Sequence, residues 1–376
     1  MKRITLCFFI MIFLFGCSSQ TELKVKVTNN LSIKRTNETV EIALSDVIKV
    51  MGKINSKSLV IFNSSNEEIP SQLIYCGGEV PLKIIFQATV DANSSADYII
   101  KSGKPGEYPL RTYGRFVPER YDDYIWENDR IAFRIYGLAL IPKDGPSNGL
   151  DVWVKRTDKM IINKWIHDYN AGISSYHDDN GEGCDSYKVG RTLGAGGMAP
   201  FMKDSMWLGI NFQSYQTLDN GPIRTSFKVF YPPFYVDKAK ITETKTISLD
   251  AGYQLNAIIE EYQGCDSVMT VAAGIVKRKE GKELICSVDK GYITYCLDEG
   301  EGGITYLGVV NTIKTDSIQE INKHLAITSK YSKCSKLLYY AGAGWSKWGF
   351  ETEDRWNAYI EEFTNRLKNP LVVKLY

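Results

Sequence analysis

Histidine is scarce, with three in 376 residues. Chemistry that needs an imidazole therefore has only His167, His177 and His324 to draw on. Zinc-type spacing is missing too, since no Cys-x-x-Cys pair occurs among the eight cysteines. Neither sign of charge dominates: 45 Lys and Arg stand against 44 Asp and Glu, and no basic run breaks that balance. This argues against a nucleic-acid partner and against an anionic lipid surface. Beyond Phe15 no apolar run approaches the length of a spanning helix. No internal repeat and no strand–helix alternation appear, which excludes a solenoid and a doubly wound parallel sheet.

The N-terminus has its own character. Lys2 and Arg3 precede an apolar run, Leu6 to Phe15, and then Gly16-Cys17-Ser18-Ser19. That order reads as a signal peptide over 1–17 ending in a lipobox, with cleavage before Cys17, acylation of its thiol and amine, and 18–24 a short tether. The expectation is an exported lipoprotein held in a membrane through Cys17, most simply the outer membrane facing the periplasm. Cys76, Cys184, Cys265, Cys286, Cys296 and Cys334 remain, and buried free thiols are expected for most of them. Cys286 and Cys296 flank Asp289-Lys290-Gly291, so a hairpin would bring that pair near each other.

What is present reads as β throughout. In 130–137, Ile131, Phe133 and Ile135 alternate with Arg130, Ala132 and Arg134. In 223–231, Phe227 and Val229 share a face opposite Arg224, Ser226 and Lys228. Neighbouring side chains of a strand point to opposite faces, so such alternation marks half-buried antiparallel strands. Residues 25–103, cut by Asn93-Ser94-Ser95 and Gly103-Lys104-Pro105-Gly106, predict a small N-terminal β-sandwich. A large antiparallel β-domain follows over 107–376. One helix closes the chain: Thr352 caps it, and Trp356, Tyr359, Ile360, Phe363 and Leu367 form its apolar stripe before Asn369-Pro370 stops it. A second helix is expected over Ser317 to His324, and Leu371 to Tyr376 as a last strand.

Chemistry concentrates in 176–197, YHDDNGEGCDSYKVGRTLGAGG. Asp178, Asn180 and Glu182 alternate before Gly183, as in the first half of an oxygen-ligand calcium loop, with Asp185 as a later ligand. Val189 stands where a bidentate carboxylate belongs, so a solvated acidic turn is the competing reading. In the second half, Arg191 is suited to grip a carboxylate, Lys188 adds a point charge, and His177, Tyr187 and Tyr176 are proton-transfer groups. The glycines Gly194, Gly196 and Gly197 lack the lysine of a phosphate-binding loop. The segment 115–129 mixes rings and charges as a sugar groove does. Arg115, Trp126, Glu127, Tyr176 and Arg224 form the expected substrate-binding set, with Trp153, Trp165 and Trp207 as further platforms. A tryptophan in a β-protein is also a common core residue.

The blocks RFVPERYDDYIWENDRIAFRIYG, DVWVKR, YHDDNGEGCDSYKVGRTLGAGG, LDNGPIRTSFK, TETKTISLDAG and AGAGWSKWG resemble the bacterial family catalogued as domain of unknown function 4861. The resemblance implies a galactose-mutarotase-like β-supersandwich, a fold also used by polysaccharide lyases, and an exported protein in a pectin-like setting. The leading expectation is β-elimination on uronic-acid-containing oligosaccharides. His177 or Tyr187 would take the proton, Tyr176 would serve the leaving group, and Arg191, Lys188 or a bound calcium would neutralise the carboxylate. The alternatives are a glycoside hydrolase pairing Glu182 with Glu127 or Asp123, a mutarotase or epimerase using His177, and a noncatalytic glycan-binding lipoprotein. Fold alone does not choose among them.

Overall fold

The computed structural model describes residues 22–52, 54–265, 268–333 and 335–376. Cys17 and the expected signal peptide lie outside them, as do Ser18 to Thr21 of the expected tether. Glu22, Leu23 and Lys24 are not tether: they open the first strand, Glu22–Asn29.

The N-terminal part is a two-sheet sandwich. One sheet orders Glu68–Ile69, Leu59–Phe62, Ser94–Ser102, Glu22–Asn29 and Val372–Leu375; the other orders Ser71–Ile74, Lys83–Val90 and Arg35–Ala43. Leu23, Val25, Val27, Val40, Ile42, Phe86 and Ile100 fill the space between them, roofed by helix α1, Leu44–Met51. The last strand of the chain pairs antiparallel with the first, Val25 opposite Leu375 and Thr28 opposite Val372. The far C-terminus thus completes the N-terminal sheet.

The larger part is a supersandwich. A nine-stranded antiparallel sheet, with Ala239–Asp250, Leu255–Gln263 and Leu337–Trp345 at its centre, faces two five-stranded sheets across one apolar core. Alternation decides which side chains enter it: Phe227 and Val229 from one strand, Ile247 and Leu249 from the next. The opposite face of the nine-stranded sheet is covered by the C-terminal helix. Of the four α-helices among the described residues, α1, α2 (Ile141–Asp144), α3 (Ile162–Asn170) and α4 (Glu353–Lys368), the last is the longest. The Thr352 hydroxyl accepts from Arg355 N at 3.3 Å, capping α4, and Trp356, Ile360 and Phe363 are buried on Tyr292, Tyr306 and Val310.

Two local expectations change. Residues 317–324 are not a helix but the hairpin of Thr315–Ile321 and His324–Tyr331. Asn322 and Lys323 have φ of 47° and 62°, the left-handed pair that a two-residue hairpin turn demands. Cys286 and Cys296 do lie on adjacent strands, but Cys286 sits opposite Ile293 and Cys296 opposite Lys282, so both remain free thiols.

The sheet that positions the chemistry is a five-stranded one, ordered Thr112–Val117, Asp123–Asn128, Ile131–Ile135, Asp151–Lys155 and Gly183–Cys184. One of its faces joins the main core through Tyr124, Trp126, Phe133 and Val152. The other carries Ile125, Ala132 and Trp153 and is covered by α3 through Ile162, Trp165 and Ile166. Both faces are therefore dry, and every polar side chain on the second face has to find its partner inside the protein.

Candidate functional site

Register puts those polar side chains in rows. Arg134 lies opposite Asp151 on one side and Ile125 on the other, and Ala132 lies between Glu127 and Trp153. Asp123, Arg134 and Asp151 therefore share the face covered by α3. Arg134 donates to Asp151 Oδ2 through Nε at 2.8 Å, and its Nη2 lies 2.7 Å from Asp151 Oδ2 and 3.2 Å from Asp185 Oδ2. Asp185 arrives just beyond the short edge strand Gly183–Cys184. Gly183 has φ 118°, and a Cβ there would meet Val154 O at 2.0 Å, so only glycine lets this edge close.

Three buried carboxylates thus face two guanidiniums, Arg134 and Arg120. Burial pushes Asp123 up to about 7 against the pull of Arg134 and Arg120. It raises Asp185 further, reinforced by Asp151, and raises Asp151 as well. The Arg134 guanidinium stays charged, because Asp151 and Asp185 outweigh its own burial. Five of the buried side-chain atoms without a hydrogen-bond partner among the described residues lie here: Arg120 Nη1, Asp123 Oδ2, Arg134 Nη1, Trp153 Nε1 and Asp185 Oδ2. Buried polar atoms in native proteins are nearly always satisfied, so such a group marks a site built for something besides packing.

Above the cluster lies His177, with a side chain 48% exposed. Its Nδ1 is 3.0 Å from the carbonyl of Asp185 and 3.5 Å from Asp185 Oδ2. A carbonyl only accepts, so Nδ1 carries the hydrogen and Nε2 is left as the acceptor. Beneath it, Tyr176 stacks on Trp153 with centroids 4.9 Å apart and meets the His177 ring tilted at 49°, centroids 4.5 Å apart. The Tyr176 hydroxyl accepts from Arg120 Nε at 2.7 Å. Arg120 enters from a turn in which Tyr121 and Asp122 both have positive φ, 54° and 62°. Asp122 O sits where a Cβ on Gly137 would be, 2.0 Å away, and Gly137 N donates to Asp123 Oδ1 at 3.2 Å. The left-handed pair and the close approach at Gly137 fix where Arg120 enters.

The residues expected from sequence do not form one pocket. His177 and Tyr176 stand together, but Tyr176 is buried, so it positions His177 and does not meet a leaving group. Tyr187 turns into the main core, its hydroxyl buried without a partner and its pKa raised by burial. Lys188 and Arg191 are exposed, and Arg191 lines a different cavity with Lys277 and Lys323. Gly190, at φ 62°, turns the chain between them.

The substrate-binding set fares similarly. Trp126 is core, donating through Nε1 to Asn256 Oδ1 at 2.7 Å. Glu127 is fully buried, paired with Lys155 and accepting the N–H groups of Ile161 and Ile162 where α3 begins. Arg115 is held by Asn163 and Glu119. Arg224 bridges Asp250 and Glu41, tying the nine-stranded sheet to the N-terminal sandwich. Trp153 and Trp165 belong to the α3 core, and Trp207 packs on the main one.

Of the calcium candidates, Asp178, Asn180 and Glu182 line one small cavity of about 20 Å³, Asp185 is not among its lining residues, and no cluster of three metal-type ligands occurs among the described residues. Glu182 pairs with Lys164 at 2.6 Å and accepts from Trp165 Nε1. Asn180 donates to Ser175 O and Asp178 O, while Asp178 is exposed. Asp185 is buried against Arg134, its Oδ2 3.2 Å from Nη2. Glu127 is fully buried and bound to Lys155, so it cannot form a hydrolytic pair with Glu182. The residues missed as a group were Arg120, Arg134 and Asp151. For Arg134 and Asp151 a signal was present: Asp123 and Glu127, then Arg134, then Asp151 and Lys155 stand at same-parity positions of three successive apolar strands; Arg120 lies outside them.

This architecture is one that glycoside hydrolase chains use. A protein in the glycosyl hydrolase family 38 from Enterococcus faecalis superposes with a TM-score of 0.53 at 8% identity, covering 95% of this chain and 48% of its own. An alpha-mannosidase from Enterococcus faecalis V583 gives 0.53 at 7% identity, covering 95% and 46%. The chain spans about half the length of these solved structures, and at such identities the likeness is one of fold. By sequence, residues 27–373 match the model of Domain of unknown function (DUF4861), and the chain belongs to that family, as its six sequence blocks implied. A relative, "Uncharacterized protein P7" of Formosa agariphila, is 30% identical over 370 residues, covering 93% of each chain.

Proposed function

We propose that this protein acts on carbohydrate, and that its ligand is an acidic oligosaccharide from which His177 removes a proton. The observation that carries the reading is the bond from His177 Nδ1 to Asp185 O at 3.0 Å, which leaves Nε2 as an exposed base fixed in orientation. In β-elimination, Nε2 takes the proton from the carbon beside the sugar carboxylate. The electron pair left behind forms the carbon–carbon double bond, the glycosidic carbon–oxygen bond breaks, and the leaving oxygen takes a proton from water. Arg120, whose Nε donates to the hydroxyl of Tyr176, the ring packed against His177, would be the cation nearest in the chain of contacts to stabilise the developing negative charge. The fold shared with glycoside hydrolase chains supports the carbohydrate part of the reading.

The test is incubation with uronic-acid oligosaccharides, following ultraviolet absorbance and reducing ends together. An absorbing unsaturated sugar is the expected product. Hydrolysis is the second reading, supported by the fold shared with glycoside hydrolase chains; Asp123, pushed up to about 7, is fully buried and does not itself meet a substrate. New reducing ends without absorbance would select it, and neither signal would leave both readings unsupported. The proposed setting is exported and lipid-anchored: Cys17→Ala should shift the protein from membrane to soluble fractions, and an unchanged distribution would sink the anchor.

A further inference from the structure

The basic half of the histidine loop runs to a different place. There, three chain segments meet at one end of three neighbouring strands, Ala195–Met202, Met269–Val276 and His324–Tyr331. Arg191 and Thr192 come just before the first, Lys277 and Arg278 just after the second, and Lys323 turns into the third. Between them is a cavity of about 350 Å³ into which all four cations face. Lys277 is compensated by Glu283 at 2.9 Å and Glu320 at 2.5 Å. Arg191, Arg278 and Lys323 have no carboxylate partner among the described residues, which leaves an excess of positive charge in a concave site.

The site is braced from below. His324 Nε2 accepts from Leu193 N at 3.0 Å, and its Nδ1 donates to Asn322 O at 2.8 Å. The ring is thus neutral, and it locks the segment after Arg191 against the turn that presents Lys323. Arg278 Nη2 donates to Lys188 O and, at 3.2 Å, to Val189 O, which ties the third cation to the same segment. Asn322 and Ser205 add amide and hydroxyl groups to the wall.

We propose that this cavity binds an oxyanion, a carboxylate or a sulfate ester, carried by a ligand the size of one or two sugar rings. The oxyanion rests on the cavity itself, through guanidinium and ammonium groups that no carboxylate of the protein neutralises. The volume lies in the range of small-molecule sites. That the ligand is a sugar rests on the functional reading above.

Calorimetric titration with three disaccharides tests it: one bearing a uronic acid, one a sulfate ester, one uncharged. The expected result is binding of an acidic disaccharide that weakens with salt, with the uncharged one at least about tenfold weaker. Whichever acid binds identifies the group. Arg191→Gln and Lys323→Gln should each weaken it by about tenfold or more, with melting temperatures unchanged because both side chains are unpaired. His177→Ala should leave this binding intact while acting on turnover, so failure of the catalytic reading and failure of this one give different results. Equal binding of the uncharged sugar, no binding of either acid, or wild-type affinity in the Arg191→Gln/Lys323→Gln double variant overturns the proposal.

Discussion

Lys155 donates through Nζ to Glu127 Oε2 at 2.7 Å, and solvent reaches neither side chain. Burial pushes the Glu127 carboxyl up and the Lys155 ammonium down, each opposed by the other's charge. Every remaining group is used: Glu127 takes the N–H groups of Ile161 and Ile162, and Lys155 donates to Asn128 O and Lys159 O. The pair is an anchor for the start of α3, and α3 in turn covers the acid–arginine cluster.

Glu127→Ala leaves an ammonium buried without its counter-ion and two helix N–H groups without an acceptor. The expected cost is about 3–5 kcal/mol in urea unfolding. Stability within about 0.5 kcal/mol of wild type would show that the pair is not an anchor.

His177 is different in kind. Its side chain is half exposed, packs on Tyr176 and Tyr169, and bonds the Asp185 carbonyl. His177→Ala should lower turnover about a hundred- to ten-thousand-fold while shifting stability by no more than about 0.5 kcal/mol. Full activity in that variant would remove the base.

Asp123 gives a pH signature. Its folded pKa, about 7, lies above the ordinary 3.8, so between those values the native state holds a proton that the unfolded chain has released. Its contribution is fully present below the unfolded value and is lost as pH rises through about 7. Unfolding free energy measured from acid to neutral pH should therefore fall in that window. Asp123→Asn should flatten the slope by up to about 1.4 kcal/mol per pH unit. An unaltered slope would mean that Asp123 is ionised throughout.

Chelation should leave the melting temperature unchanged. Glu182 is bound to Lys164, Asp185 to Arg134, and Asp179 to Arg156 at 3.2 Å and to the N–H groups of Gly181 and Gly183. A native-state metal would raise stability through its binding, so a clear drop on adding chelator would restore the calcium reading.

The parts legible in the sequence were those fixed by local rules. Alternation in 130–137 and 223–231 marked real strands, Thr352 and the Trp356–Phe363 stripe marked α4, and the six motif blocks marked the family. Where local rules were met by two structures, the reading failed. Ser317 to Ile321 tolerates a helix, but the Asn322-Lys323 turn and pairing with His324–Tyr331 made it a strand. The loop 176–191 fared worse, because the direction of each side chain depends on which sheet lies beneath it. Tyr187 entered the core, His177 stayed on the rim, and Arg191 crossed to another cavity.

By itself, then, the sequence determined a β-protein, its closing helix, its family and a loop rich in proton-transfer and cationic groups, since period-two patterning, capping and motif order are properties of the chain alone. Only tertiary structure decided that Arg134 and Asp151 are buried beside Asp185, that Glu127 is a brace, and that the histidine and the arginine of one loop serve different places. The reason is physical. Burial and charge pairing are made by segments far apart in sequence, and a strand's polar face looks the same along the chain whether water or α3 covers it.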